Sequence, residues 1–185
     1  QRLESYDAMS GKLRDAGVTL NAPLRQLELS PDTKWLLATG PARDATRVFD
    51  ATTLQRVGEY PHDPDQPVLW ASFTADSKQL WLVTRPLDET QANDAELIRW
   101  DPRKGEVRER RQVHGVWPVG VATVGDKPLL AARDRLVLDP GAADERVAAG
   151  LFGAESTTVF GFSHDGRFIA HAVGNLRQQP AGRAY

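Results

Sequence analysis

The chain has 185 residues, 41% of them apolar and 26% charged, which is ordinary for a globular protein with a core of its own. Its 23 basic and 25 acidic residues leave a formal charge of −2, which argues against a general polyanion binder, so no nucleic-acid partner is expected. There is no cysteine, which excludes disulfides, thiolate metal sites and cysteine catalysis, and no apolar run approaches the roughly 18 residues that a membrane-spanning helix needs.

In chain order the sequence divides into short apolar runs bounded by Gly, Pro and Asp, the signature of strands. Leu3–Tyr6 ends in the pair Tyr6-Asp7 and is followed by the more polar Lys12–Val18. A four-strand unit comes next. It comprises Leu24–Leu29, the turn Ser30-Pro31-Asp32-Thr33-Lys34, Lys34–Thr39, Thr46–Phe49 with its pair Phe49-Asp50, and Leu54–Tyr60. A second unit repeats the order with Val68–Phe73, the turn Thr74-Ala75-Asp76-Ser77-Lys78, Gln79–Thr84, Glu96–Trp100 with Trp100-Asp101, and Glu106–Val113. The third runs through Val116–Val124, a shortened turn Val124-Gly125-Asp126-Lys127, Pro128–Ala132, Arg135–Leu138 with Leu138-Asp139, and Glu145–Ala149. Two strands close the series, Thr157–Phe162 and Phe168–Val173, around Ser163-His164-Asp165-Gly166-Arg167. No helix is expected, and Pro140–Gly150 reads as loop plus strand.

Two anchors keep this rhythm in phase. The Asp residues that close the third strands are spaced by 43, 51 and 38 residues, and the Asp residues of the first turns by 44, 50 and 39. Each unit is then one supersecondary element that buries its apolar faces against its neighbours. The fourth strand of the second unit, "EVRERRQV", mixes both signs of charge, as an outer edge strand does to resist edge-to-edge pairing. A basic patch that binds phosphate or an acidic partner is the competing reading.

Units of four strands, with an aromatic-Asp pair closing the third, resemble the WD-repeat β-propellers. The residues that carry the resemblance are Phe49-Asp50 and Trp100-Asp101, followed by Thr52-Thr53-Leu54 and Arg103-Lys104-Gly105. His62 and His114 stand where that family places a His between one unit's outer strand and the next unit's inner strand. Asp44, Asp94 and Asp134 stand where it places a structural Asp. The repeats are degenerate. Pro61 and Val113 replace the Gly expected before the His, and Leu138 replaces a Trp. The resemblance implies an all-β fold: a β-propeller of four-stranded antiparallel blades, with about four blades' worth over residues 1–185 and composite or incomplete blades at 1–20 and 155–185. The preferred reading is an arc of a larger ring. The alternative is a small four-bladed ring in which the first and last strand pairs share a blade.

Propellers bind through loops at the ends of the ring, so the predicted binding surface is the face of the second-to-third and fourth-to-first connections. It gathers Arg43, Asp44, His62, Asp94, His114, Trp117 and Arg133, with Asp63 and Asp65 beside them and the insertion Pro86–Asp94. Aromatic and Arg residues are common interface anchors. The plainer reading has the His and Asp residues bracing turns and Trp117 filling a gap between blades. His62, Asp63, Asp65 and His114 include metal-ligand types, but their spacing matches no motif and Asp-Pro-Asp makes a turn unaided, so no metal site and no cofactor are expected. No Gly-x-Ser-x-Gly elbow and no phosphate-cradling Gly loop occur, so no catalytic residue is assigned.

The expected function is a non-enzymatic protein-protein interaction or sensory scaffold, part of a larger protein, with another protein or domain as partner. The Arg-, Ala- and Asp-rich composition has a bacterial look. The absence of cysteine does not choose between cytosol and periplasm, and the cytoplasm is the preferred compartment. The alternatives are a propeller enzyme of hydrolase or lyase type, acting on a small or carbohydrate-like ligand in the central funnel, and an extracytoplasmic ligand sensor.

Overall fold

A computed structural model describes residues 2–7, 9–14, 17–20, 23–40, 45–61, 63–86, 94–132, 135–149, 157–162 and 168–174. All regular structure among them is β. A two-stranded sheet comes first, β1 (Arg2–Leu3) with β2 (Val18–Thr19). Blade one is β3 (Gln26–Leu29), β4 (Trp35–Thr39), β5 (Thr46–Asp50) and β6 (Arg56–Tyr60). Blade two is β7 (Val68–Phe73), β8 (Leu80–Thr84), β9 (Ala95–Asp101) and β10 (Glu106–Val113). Blade three is β11 (Pro118–Val124), β12 (Lys127–Ala132), β13 (Arg135–Leu138) and β14 (Arg146–Ala149). A second two-stranded sheet, β15 (Thr157–Phe162) with β16 (Ile169–Gly174), comes last. Every pairing is antiparallel between consecutive strands, so each four-stranded sheet is a meander.

The predicted strands are recovered with shifted ends. β3 starts at Gln26 rather than Leu24, and the first predicted pair shrinks to Leu3↔Val18, Arg2↔Thr19 and a single bridge Tyr6↔Leu13. Of Pro140–Gly150, residues 140–145 form turns that lead into β14, as expected, and Gly150 lies outside the described residues.

The aromatic-Asp turns are built alike three times. Asp50 Oδ1 accepts hydrogen bonds from the Thr52 and Thr53 N–H groups at 2.9 and 2.8 Å, and Asp7 Oδ1 accepts those of Met9 and Ser10 at 3.1 and 2.8 Å. Asp101 Oδ1 accepts from Arg103 and Lys104. Each turn then crosses the left-handed region at the same step, at Gly11, Leu54 and Gly105 (φ 66°, 56° and 68°). The Thr53 and Thr52 N–H groups hold the Asp50 carboxyl below the usual carboxylate range, because they stabilise the ionised form. Asp139 departs from its siblings. It is itself left-handed (φ 55°), and its carboxylate leaves its own turn to meet Arg111 of β10 and Lys127 Nζ at 2.9 Å.

The first turns also repeat. Ser30 Oγ donates to Asp32 Oδ1, and Thr74 Oγ1 to Asp76 Oδ1, both at 2.7 Å. The next N–H groups, of Lys34 and Lys78, close the loops, with Thr33 and Ser77 left-handed at φ 59° and 61°. These turns also join blades: Asp32 N donates to Ser77 Oγ at 3.0 Å.

The core lies between blades. Leu37 and Val48 of blade one meet Ala71, Phe73, Leu80, Leu82, Ile98 and Trp100 of blade two. Trp81, Val83, Ala95, Leu97 and Val113 of blade two meet Val116, Val121, Leu130, Ala132 and Val137 of blade three. Full burial of such a side chain is worth about 1.5–3 kcal/mol, so each blade is stable because its neighbours cover it. Side chains tie the inner strands together. Gln26 Nε2 donates to the Ala71 carbonyl at 2.6 Å, and Thr123 Oγ1 donates to that of Phe73 at 2.6 Å.

The charges of β10 are absorbed by its neighbours. Arg108 pairs with Asp101 and Glu106, Arg110 with Glu96 and the Tyr60 hydroxyl, and Arg111 with Glu109 and Asp139. These partners make the strand part of the blade contacts on both sides, which favours the outer-strand reading over a phosphate patch.

Candidate functional site

The candidate site is the loop from His114 to Trp117, between β10 and β11 at the junction of blades two and three. Outer strand β10 ends in buried Val113, and the chain must cross inward to start β11. Gly115, with φ +67°, makes that crossing in a conformation that L side chains rarely adopt. Val116 then drops into the apolar core between the two blades and is 3% exposed.

Both neighbouring blades grip the loop. From blade two, Asp94 Oδ1 lies 3.2 Å from His114 Nδ1 and 3.4 Å from the Gly115 N–H. From blade three, Arg135 Nη2 donates to the Gly115 carbonyl at 2.6 Å. Two residues beyond Gly115, the Arg85 guanidinium lies 3.9 Å from the centroid of the half-buried Trp117 ring, within the range of a cation–π contact. Arg85 follows directly on β8, so the stack again joins blade two to the entrance of blade three.

Of the seven predicted binding residues, the structure brings Asp94, His114 and Trp117 together at this junction. Arg43, Asp44, His62 and Arg133 lie outside the described residues, as do Asp134 and positions 87–93 of the predicted insertion. Asp63 Oδ1 accepts the Asp65 N–H at 2.9 Å, which is the turn-making role expected of Asp-Pro-Asp. Among the described residues, no three His, Asp or Glu side chains converge as metal ligands. His114 keeps most of its side chain in solvent, 75% exposed, so the pair with Asp94 is a surface brace of the loop.

Arg85 and Arg135 escaped the sequence reading, although each stands at a strand end on the predicted face. The available signal was positional: a cation just after a second strand, or at the start of a third, lies over the neighbouring connection.

Two further Trp–Arg stacks mark blade junctions, Arg103 over Trp35 at 4.9 Å and Arg25 over Trp70 at 5.0 Å. Arg25 and Trp70 sit at the inner-strand starts of blades one and two. Among the described residues, that makes the Arg85–Trp117 stack one of two on the same rim.

With this geometry the chain is a partial β-propeller: blades of antiparallel meanders, packed face to face, with their connections forming a rim. No protein-family model matches the sequence, and no curated protein matches it. Solved structures do resemble it. Kuenenia stuttgartiensis hydrazine synthase aligns with a TM-score of 0.68 at 14% identity, over 93% of this chain and 55% of that one. The β-propeller domain of Myceliophteria thermophila Cps50 (Swd1) aligns with a TM-score of 0.55 at 12% identity, over 84% and 50%. The WD40 repeats of RRP9 align with a TM-score of 0.55 at 12% identity, over 76% and 42%. The chain thus spans about half the length of these structures, and at these identities the likeness is one of fold.

Proposed function

We propose that this chain is a non-enzymatic interaction or sensory module of WD-repeat type, which presents the loops of one propeller rim to another protein. The observation that carries the proposal is the doubly anchored loop at His114–Trp117. Asp94 and Arg135 fix its backbone from opposite blades, and Trp117, stacked with Arg85, is held half-buried at the rim. A Trp–Arg pair is the residue chemistry found at interface hot spots, and a surface ordered before binding avoids the cost of ordering it then. Arg43, Asp44, His62 and Arg133, which the repeat assigns to connections of the same rim, are included in the proposed surface. The WD-repeat assignment is supported by the shared construction of the Asp7, Asp50 and Asp101 turns and by the WD40 repeats among the similar structures.

The test is affinity capture of partners from the source cell with the unaltered chain and with Trp117→Ala, Arg133→Ala and the double variant, each checked for an intact far-UV spectrum and melting curve. Loss of the same captured proteins in all three variants supports the proposal. Retention of every partner by well-folded variants counts against this rim.

A further inference from the structure

We propose that the outer half of the junction between β1–β2 and blade one is a binding site for a small carboxylic acid with an apolar body. The inference is independent of what the rim binds.

Strand alternation sets the site up. Val48 of β5 faces blade two, so Arg47 and Phe49 on either side of it face β1–β2. On β6 the ladder skips Val57, with Val48 opposite Gly58 and Phe49 opposite Arg56. That bulge returns Arg56 to the face of Phe49, and Glu59, opposite Arg47, lies on the same face. Arg47 Nε and Arg56 Nη1 both donate to Glu59 Oε2, at 3.0 and 2.6 Å. Two guanidinium groups thus meet at one carboxylate oxygen. From the other side of the junction, β2 and the residue after it bring Val18 and Leu20.

Between the two sides lies a cavity of about 400 Å³, inside the size range of small-molecule sites. Val18, Leu20, Phe49 and Leu54 form its apolar walls. Arg47 and Arg56 are the charged groups among its described lining residues, and no carboxylate lines it with them.

The next junction shows a closed version of the same place. Blade two carries the same bulge, with Trp100 opposite Val107 and Ile98 opposite Arg110. Trp100, Ile98 and Val107 therefore hold the positions of Phe49, Arg47 and Arg56. There the larger ring and the apolar side chains seal the seam: Trp100 and Ile98 are each 1% exposed, and Tyr60 stands edge-on to Trp100. Against β2 the smaller Phe49 ring leaves space, and cations border it. By the repeat, the inner strands of the blade that holds β1–β2 pair along β1 and lie over β3 and β4. The cavity lies over β5 and β6, so it belongs to the outer half of the junction whatever completes that blade.

An apolar pocket bordered by guanidinium groups selects an anion with an apolar body. Glu59 points to the kind of anion. Its one oxygen accepts from both Arg side chains, so a ligand carboxylate meets donors already set for a carboxylate. The apolar body covers Phe49 and Leu54, and the head group lies beside Arg56, which is 60% exposed and has N–H groups beyond the one given to Glu59.

The probe is 3-phenylpropionate, titrated into the unaltered chain by calorimetry and followed in amide NMR spectra. The alcohol 3-phenylpropanol keeps the body without the charge, and acetate keeps the charge without the body. Expected is saturable binding of 3-phenylpropionate that moves the resonances of residues 18–20 and 47–56, with both controls weaker by about tenfold or more. The same loss is expected for Arg56→Gln and for Arg47→Ile, which installs the residue of blade two, because one hydrogen bond to a charged group is worth about that factor. If Arg47→Ile fails to fold, the exposed Arg56→Gln decides. The proposal is overturned by the absence of saturable binding in the millimolar range, or by shifts confined to other residues. Equal affinity for the alcohol, tighter binding of phenyl phosphate, or undiminished binding by a folded Arg56→Gln variant would also overturn it.

Discussion

Gly58→Ala is the sharpest probe of how the blades hold together. Gly58 lies on outer strand β6, and the backbone of Pro102, in the β9–β10 turn of blade two, runs directly over it. An added methyl would overlap the Pro102 carbonyl oxygen and stand 2.8 Å from its carbon and 3.0 Å from its Cα. Carbon atoms sit comfortably at about 3.5–4.0 Å, so β6 and the turn must part by roughly 1 Å. The obstacle is backbone, with proline's φ fixed, so no side chain can swing away. The same opening pulls on Arg103 over Trp35 (4.9 Å) and on the edge contact between Tyr60 and Trp100 (5.6 Å), both of which bridge these blades. Overpacking of this kind costs about 1–3 kcal/mol, and the loosened aromatic contacts place Gly58→Ala at the upper end, near 3 kcal/mol. Urea unfolding followed by tryptophan fluorescence measures it. Gly105→Ala serves as the control, because Gly105 has open space around its Cβ position and only the left-handed backbone (φ +68°) to strain, worth about 1–2 kcal/mol. If Gly58→Ala costs no more than Gly105→Ala, the turn does not clasp the preceding blade and the reasoning fails.

Asp139→Asn should cost about 1.5–3 kcal/mol at neutral pH by uncoupling Arg111 and Lys127 from a carboxylate only 8% exposed. Burial pushes the Asp139 carboxyl up, but hydrogen bonds from Arg111 and Lys127 outweigh it and hold the carboxyl below its ordinary 3.8. A lowered folded-state value gives stability that is fully present above the ordinary carboxylate range and lost as pH falls through the folded value. The gap between the unaltered chain and the variant in urea titrations should therefore narrow below about pH 4, and a constant gap down to pH 2 would refute the linkage. Phe73→Ala, at 2% exposure between blades one and two, should lose about 3–5 kcal/mol in the same assay. Thr33→Gly should instead raise the melting temperature. It relieves a β-branched residue held at φ 59°, worth about 1–2 kcal/mol, against the 0.5–1 kcal/mol that glycine loses in chain entropy.

The strands and two of the first turns were legible in the sequence because their chemistry is local. Asp32 and Asp76 bond groups two residues to either side, and Asp50 bonds the N–H groups two and three residues ahead, so composition and spacing alone announce them. Leu138-Asp139 shows the limit of that logic. It keeps the rhythm of the other pairs, yet its carboxylate serves Arg111 of the preceding blade, a partner 28 residues away. The candidate site divides the same way. His114, Asp94 and Trp117 could be nominated from the repeat, whereas Arg85 and Arg135 joined them only once blade two and blade three were set side by side.

From its order of residues alone, this chain was committed to short antiparallel strands copied in fours, since alternating apolar runs and self-bonding Asp turns need no distant partner. The angle at which one blade meets the next was decided only by tertiary packing. With it came the Trp–Arg stacks between blades, the grip on the His114 loop and the uncovered Leu27 and Leu29, because those contacts depend on residues that the backbone keeps tens of positions apart.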